Sequence, residues 1–425
     1  MKSPTNGYHG NNHRIAGKSP QKILVLVIAI VSLLVAMTWA AVQAAALRII
    51  IIGDSTVSTY AATNPLKGWG QELVLFFNKD AVTVINNAIG GRSSRSFIED
   101  GHWTTTLGML QKGDYLLIQF GHNDRDTKVE RYTDTAGYRK YLTQYVTESR
   151  AKGAIPVLVS PMNMNTWNGT TLRQVFNEGA NDYHAAMMRV AAALAVPFVD
   201  LEQKTAQLFQ SVGQSYLANF IFHAGEGTHF VEMGALMNAR FIAEGIKELA
   251  TNADVGQLAA VLAPQYMMIV KSNKTGAGVI TLGGTYPEGA PITLLAIPNS
   301  GETFQQWQDA VEKSLTTQTQ YQFTMGAAAC AYGAIFKGGS TAVSREAPSA
   351  VRSIPSIAVS ENGMISIMSN NKILSARVTD LLGKNILYYE PNSNHAVLDV
   401  GSFSHGIYFV SARTGAGSVT QLIRR

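Results

Sequence analysis

Five short runs rich in aliphatic and β-branched residues, Leu47–Ile52, Ala81–Asn86, Asp114–Phe120, Ile155–Ser160 and Val196–Asp200, recur between stretches whose apolar residues fall at helical spacing. No other feature restricts the fold as much, because strands that alternate with helices build βαβ units and a parallel sheet. The helical stretches are Trp69–Asn78, Tyr138–Ala151, Leu172–Ala195 and Met233–Leu249. An α/β doubly wound parallel sheet over residues 47–252, with helices on both faces, is the expectation. After Ala250 the texture changes to short strands punctuated by Gly, Thr and Pro, such as Val279-Ile280-Thr281 and Ile292-Thr293-Leu294-Leu295. Two small all-β modules are expected there, over 265–340 and 357–425, joined by a Ser-, Ala- and Pro-bearing linker at 341–356.

From Ile23 to Ala46 the chain carries no charge, follows Lys2, Arg14, Lys18 and Lys22, and closes on small residues that include Ala44-Ala45-Ala46. Residues 1–46 read as a secretory signal peptide. The apolar run also suffices for an uncleaved membrane anchor, for which about 20 residues are enough, but its A-x-A endings favour cleavage. Export is common to both readings. Without those four cations, 30 basic residues face 29 acidic ones, so there is no clustered positive charge for nucleic acid. A single cysteine, Cys330, excludes an intrachain disulfide framework and any CxxC site.

The first strand runs straight into Gly53-Asp54-Ser55, which places Ser55 past the carboxyl end of a parallel strand, the edge where ligands bind in open α/β sheets. Taken alone, the triplet also makes an ordinary strand-ending turn. A serine nucleophile needs a base. His229 stands out among nine histidines because Glu226 lies three residues before it, on a loop ahead of the last helical stretch. A carboxylate there can hold the imidazole Nδ1–H and leave Nε2 to face the serine. Asn123, in Gly121-His122-Asn123-Asp124 after the third strand, and Gly91, in Gly90-Gly91-Arg92-Ser93 after the second, reach the same sheet edge. With the Ser55 N–H, the Gly91 N–H and the Asn123 amide make a three-donor oxyanion hole.

Taken in order, Gly53-Asp54-Ser55, Gly91, Gly121-His122-Asn123-Asp124 and His229 resemble the blocks of the SGNH (GDSL-type) hydrolases across about 200 residues. Gly68-Trp69-Gly70, Gly91-Arg92-Ser93-Ser94-Arg95-Ser96, Gly113-Asp114-Tyr115 and Phe120-Gly121-His122-Asn123-Asp124 look like those of rhamnogalacturonan acetylesterases within that family. The resemblance implies a flavodoxin-like α/β/α sandwich and a secreted carbohydrate esterase that hydrolyses O-acetyl esters of pectic polysaccharide through an acetyl-serine. It implies no metal and no organic cofactor. The chain holds no HExxH, Walker A, complete GxGxxG or GxSxG sequence. One departure stands out: the family usually has aspartate where this chain has Glu226. A longer reach either is absorbed by the loop or leaves His229 without its orienter.

Arg92, Arg95 and Lys67 are candidates to meet a galacturonate carboxylate, and Trp167 is a candidate to stack on a sugar ring. Each has a plain structural alternative in capping or loop packing. The alternatives for function are another SGNH esterase, acting on xylan acetates or on lipid or aryl esters, and a degenerate esterase that serves as a surface binding protein. The binding reading draws on the β-module, since Tyr266 to about Gly338, with its Tyr286-Pro287-Glu288-Gly289 turn, resembles the internalin-type cell-surface repeat. The C-terminal module, with Asp380-Leu381-Leu382-Gly383-Lys384, Gly406-Ile407-Tyr408-Phe409-Val410 and a basic end at Arg424-Arg425, resembles the type IX secretion sorting domain. That resemblance implies the type IX machinery as a partner, passage across the outer membrane, and a secreted or cell-surface location.

Overall fold

Ile49, Ile50, Ile51 and Ile52 are all buried because strand β1 (Leu47–Gly53) lies inside a sheet covered on both faces. The computed structural model describes residues 46–338, 356–359, 364–380, 385–400, 403, 407–414 and 417–424. β1 pairs in parallel with β2 (Val82–Asn86) and β3 (Tyr115–Gln119); β3 pairs with β4 (Ile155–Val159), and β4 with β5 (Phe198–Val199). The order β2-β1-β3-β4-β5 is that of a doubly wound, flavodoxin-like sheet. Alternation along the strands divides the core in two. Ile49, Ile51, Leu117, Val157 and Val159 enter one cluster, while Ile50, Ile52, Leu116, Ile118 and Leu158 enter the other.

The helices include α1 (Trp69–Glu72), α2 (Ser96–Glu99), α3 (His102–Met109), α4 (Thr135–Ala151), α5 (Tyr183–Leu194), α6 (Leu201–Val212), α7 (Gln214–Phe220) and α8 (Glu232–Glu248). α4 covers one face with Tyr138, Leu142, Tyr145 and Val146, and α8 covers the other with Leu236, Ala239, Ile242 and Ile246. Two expected helices are corrected. After a 3₁₀ turn at Gly179–Asn181, the stretch Leu172–Ala195 becomes α-helical only at Tyr183, where Asp182 accepts the Ala185 N–H at 2.7 Å. Leu172 belongs instead to a two-stranded ribbon, Trp167–Asn168 with Thr171–Leu172. The stretch Trp69–Asn78 passes from α1 into a 3₁₀ turn, Leu73–Phe76, whose tighter winding puts Leu73 and Phe76 on one fully buried side. Helices α2, α3, α6 and α7 lie outside the helical stretches read from the sequence.

Strands Gln265–Ser272, Gly284–Pro287, Glu302–Asp309, Ser314–Thr316 and Cys330–Gly338 form a mixed sheet, faced by Gly278–Ile280, Pro291–Pro298 and Gln320–Thr324. Met268, Tyr286, Trp307 and Phe336 share one hydrophobic cluster with Trp69, Phe209 and Leu236, so this β-module and the α/β sheet have a continuous core. Tyr216 accepts the Leu282 N–H at 3.0 Å, and the Arg240 guanidinium of α8 lies 5.6 Å over the Tyr286 ring.

Further along, Met364–Asp380 pairs antiparallel with Ser393–Asp399, Ile407–Thr414, Asn385–Tyr389 and Ser356–Val359 around a separate core of Ile365, Ile367, Ile373, Val378, Leu398 and Val410. The expected leader at 1–46 falls, but for Ala46, outside the described residues, as does the linker at 341–356, but for Ser356. The Leu382-Gly383-Lys384 turn and Gly406 are likewise outside them. Among the described residues no helix is long and apolar enough to cross a membrane.

Candidate active site

The chain leaves β1 at Gly53, where a Cβ would lie 2.7 Å from the Gln119 carbonyl oxygen and 2.6 Å from Val57 Cγ2, so only glycine fits. Asp54 then turns inward and is fully buried. Its Oδ1 accepts the Thr56 N–H at 2.9 Å and the Thr56 hydroxyl at 2.7 Å. Its carbonyl accepts the N–H groups of Val57 at 3.1 Å and Ser58 at 3.0 Å. This closed turn presents Ser55, half-exposed, at the carboxyl end of β1. The Tyr60 hydroxyl donates to the Ser55 carbonyl at 2.7 Å. Burial and then the charges of Asp54 and Glu226 push the Tyr60 phenol up to about 12, keeping it a neutral donor.

His229 reaches the same rim from a loop held by its neighbours. Phe222 and Phe230 are buried and bridge each other across the loop, and the Phe230 carbonyl accepts the Lys67 N–H at 3.0 Å. The His229 carbonyl accepts the His223 N–H at 2.8 Å. So anchored, His229 places Nε2 at 2.9 Å from Ser55 Oγ, although the two residues are 174 positions apart. Its Nδ1 lies 2.7 Å from Glu226 Oε2. A hydroxyl, an imidazole and a carboxylate in this chain can pass a proton from the first to the second while the third holds the ring.

The loop after β2 passes beside the serine: a Cβ at Gly90 would be 3.6 Å from Ser55 Cβ, and Gly91 adopts φ +78°, where glycine has no penalty. From the loop after β3, Asn123 donates one amide hydrogen to the Arg92 carbonyl at 3.0 Å, which leaves its second N–H for another acceptor. Thus Ser55, Gly91 and Asn123 stand on adjoining loops at the ends of β1, β2 and β3.

Beneath them lies a buried polar layer that sequence reasoning did not single out, though it occupies the same motif runs. His122 Nδ1 is 3.3 Å from Asp54 Oδ2. Burial would raise Asp54, but the charge and hydrogen bond of His122 and the bonds from Thr56 hold it below the ordinary carboxylate range. Asp124 is fully buried and accepts the Ser94 N–H on both oxygens at 3.1 Å, together with the Ser94 hydroxyl. Burial nevertheless pushes Asp124 up to about 7.

The candidates for sugar contacts each have a protein partner. Arg92 Nε pairs with Asp100 at 2.7 Å; Arg95 donates to the Val129 carbonyl and lies 3.8 Å from Glu99. Trp167 Nε1 donates to Asn165 Oδ1 at 2.6 Å. Buried Lys67 donates to the carbonyls of Ala61, Ala62 and Asn64 at 3.1, 3.3 and 2.8 Å and so pins its own loop. Among the described residues one group of metal-ligating type stands outside this site, His184 with Asp200 and Glu202.

A family model described as the GDSL-like Lipase/Acylhydrolase family matches residues 51–230. YesY, named a probable rhamnogalacturonan acetylesterase of Bacillus subtilis strain 168, is 39% identical over 209 residues, which cover 48% of this chain and 93% of YesY. The chain belongs to the GDSL-like lipase/acylhydrolase family. It is a carboxylic ester hydrolase. RhgT, named a rhamnogalacturonan acetylesterase of the same organism, is 34% identical over 222 residues, covering 48% of this chain and 90% of RhgT. A crystal structure of Bacillus subtilis YxiM aligns at 26% identity and TM-score 0.44, covering 49% of this chain and 58% of that one. The GDSL-like hydrolase also matches a divergent InlB B-repeat domain over 268–340 and a secretion system C-terminal sorting domain over 361–424. The sorting domain marks it for export, to the cell surface or the medium.

Proposed function

We propose that this hydrolase removes O-acetyl groups from pectic rhamnogalacturonan. The observation that carries the reading is the continuous contact from Glu226 through His229 to Ser55, at 2.7 and 2.9 Å, in a domain whose relatives YesY and RhgT are named rhamnogalacturonan acetylesterases. His229 Nε2 takes the Ser55 proton as Oγ attacks the acetyl carbonyl carbon. The negative charge that develops on the carbonyl oxygen is met by the N–H groups of Ser55 and Gly91 and the amide of Asn123. The tetrahedral species collapses, the sugar oxygen leaves with the proton from His229, and Ser55 carries the acetyl group. Water then gives a proton to the same nitrogen, attacks the acetyl-serine, and acetate departs as Ser55 recovers its hydrogen.

The close Glu226–His229 contact supports an enzyme over a surface binding protein with a degenerate site. For export, residues 1–46 act as the leader, and 357–425 as the tail read by the type IX machinery in crossing the outer membrane. The domain layout that goes with this is 47–252 for catalysis and 265–340 for the repeat.

The test is acetate release from acetylated rhamnogalacturonan, acetylated xylan and an aryl acetate, by wild type and Ser55→Ala. The expected result is a preference for the pectic substrate and its loss in the variant. Equal release by both proteins, or a preference for xylan, overturns the reading.

A further inference from the structure

Three strands away from the serine, at the outer end of the same sheet edge, His184, Asp200 and Glu202 converge from the first turn of α5, the end of β5 and the first turn of α6. One potential ligand atom from each lies within 4.8 Å of the others. His184 Nε2 sits 2.9 Å from Asp200 Oδ1, the oxygen that also accepts the Gln203 N–H at 3.0 Å and the Ser160 hydroxyl at 3.3 Å. Those bonds all fall on Oδ1.

Glu202 is the most deeply buried of the three. Its side chain belongs to a residue only 3% exposed, and Oε1 is buried with no hydrogen-bond partner. A carboxylate oxygen withdrawn from water without a partner is costly unless a positive charge meets it or the carboxyl takes up a proton. Its surroundings are built rather than incidental: the Ser160 hydroxyl accepts the Glu202 N–H at 2.8 Å, and the Glu202 carbonyl accepts Asn163 Nδ2 at 2.8 Å. The His184 and Asp200 side chains are 11% and 27% exposed, which leaves a way in for an ion and its water.

We infer that His184, Asp200 and Glu202 form a structural site for a divalent transition metal ion that ties α5 to the β5–α6 junction. One imidazole with two carboxylates suits zinc or manganese; calcium and magnesium take oxygen ligands only. The ion lies apart from Ser55 and takes no part in ester cleavage.

The test titrates zinc chloride into chelator-treated full-length protein, by calorimetry and thermal melting, for wild type, Glu202→Gln and His184→Gln. The expected wild-type result is saturable binding of one ion with a rise in melting temperature. Each variant should weaken that binding at least tenfold and abolish the rise. Glu202→Gln keeps the side-chain shape; if it fails to fold, His184→Gln carries the comparison. No one-ion binding by wild type, or binding that both variants retain and that is therefore adventitious, overturns the proposal. Aryl acetate hydrolysis by stripped wild type is expected to persist, so loss of the metal and loss of the esterase reading are separable results.

Discussion

The Asn165 N–H donates to the Gly227 carbonyl at 2.8 Å, and a Cβ on Gly227 would stand 3.0 Å from the Asn165 carbonyl oxygen. The loop that carries Glu226 is thus pressed against the segment after β4 at a fixed distance from His229. Within that constraint the longer side chain fits. Glu226→Asp withdraws the carboxylate by about 1.5 Å, one carbon–carbon bond, so kcat/KM is expected to fall by about tenfold or more. Glu226→Gln keeps the reach and removes the charge, with an expected loss on the order of a thousandfold. Steady-state kinetics on an aryl acetate measure both, and a gain in rate with aspartate would show that glutamate is a defect.

Asn123→Ala removes the proposed oxyanion donor and also the bond to the Arg92 carbonyl. The expected effect is a fall in kcat of roughly a hundred- to a thousandfold, with KM changed far less. A KM rise with kcat preserved would assign Asn123 to substrate binding instead.

Asp124 sets a stability dependence on pH whose sign is opposite to that of an ordinary paired carboxylate. Burial raises its folded value to about 7, while the unfolded chain titrates near the usual value of about 4. The folded state therefore keeps a proton that the unfolded state has lost, and stability falls as pH rises from about 4 to about 7. Asp124→Asn is expected to flatten that slope, by on the order of 4 kcal/mol across the window. Urea midpoints at pH 5 and pH 8 measure it, and identical slopes in both proteins would contradict it. Asp54, held below its ordinary value, contributes in the other direction and loses its contribution as pH falls through its folded value.

Much of this was legible in the chain. Leu47–Ile52 reads as a buried strand, and Gly53-Asp54-Ser55 places a serine past its end. Helix α6 was not read from the sequence although Leu201, Ala206 and Phe209 are buried on its inward side, because Glu202 and Thr205 are buried between them and interrupt the apolar pattern. The fates of Arg92 and Arg95 depend on Asp100, Glu99 and Val129, and no local pattern announces such partners. Asp124 is similar, since its partner Ser94 lies 30 positions away.

The continuous core between the α/β sheet and the β-module makes a further expectation. Trp307 is fully buried within it and donates Nε1 to the Thr319 carbonyl at 3.0 Å. Trp307→Ala is expected to cost about 3–5 kcal/mol and to lower the denaturant midpoint of esterase activity along with that of the β-module. Loss of β-structure by circular dichroism at a midpoint well below the loss of activity would show that the two unfold independently.

The meeting of Ser55 and His229 is tested most directly by labelling with an organophosphonate ester and locating the adduct by peptide mass spectrometry. One adduct per chain on the peptide containing Ser55 is expected, formed rapidly by wild type and slowed at least a hundredfold in His229→Gln. An adduct on another residue, or one that forms on Ser55 equally fast without His229, would contradict the assignment of nucleophile and base.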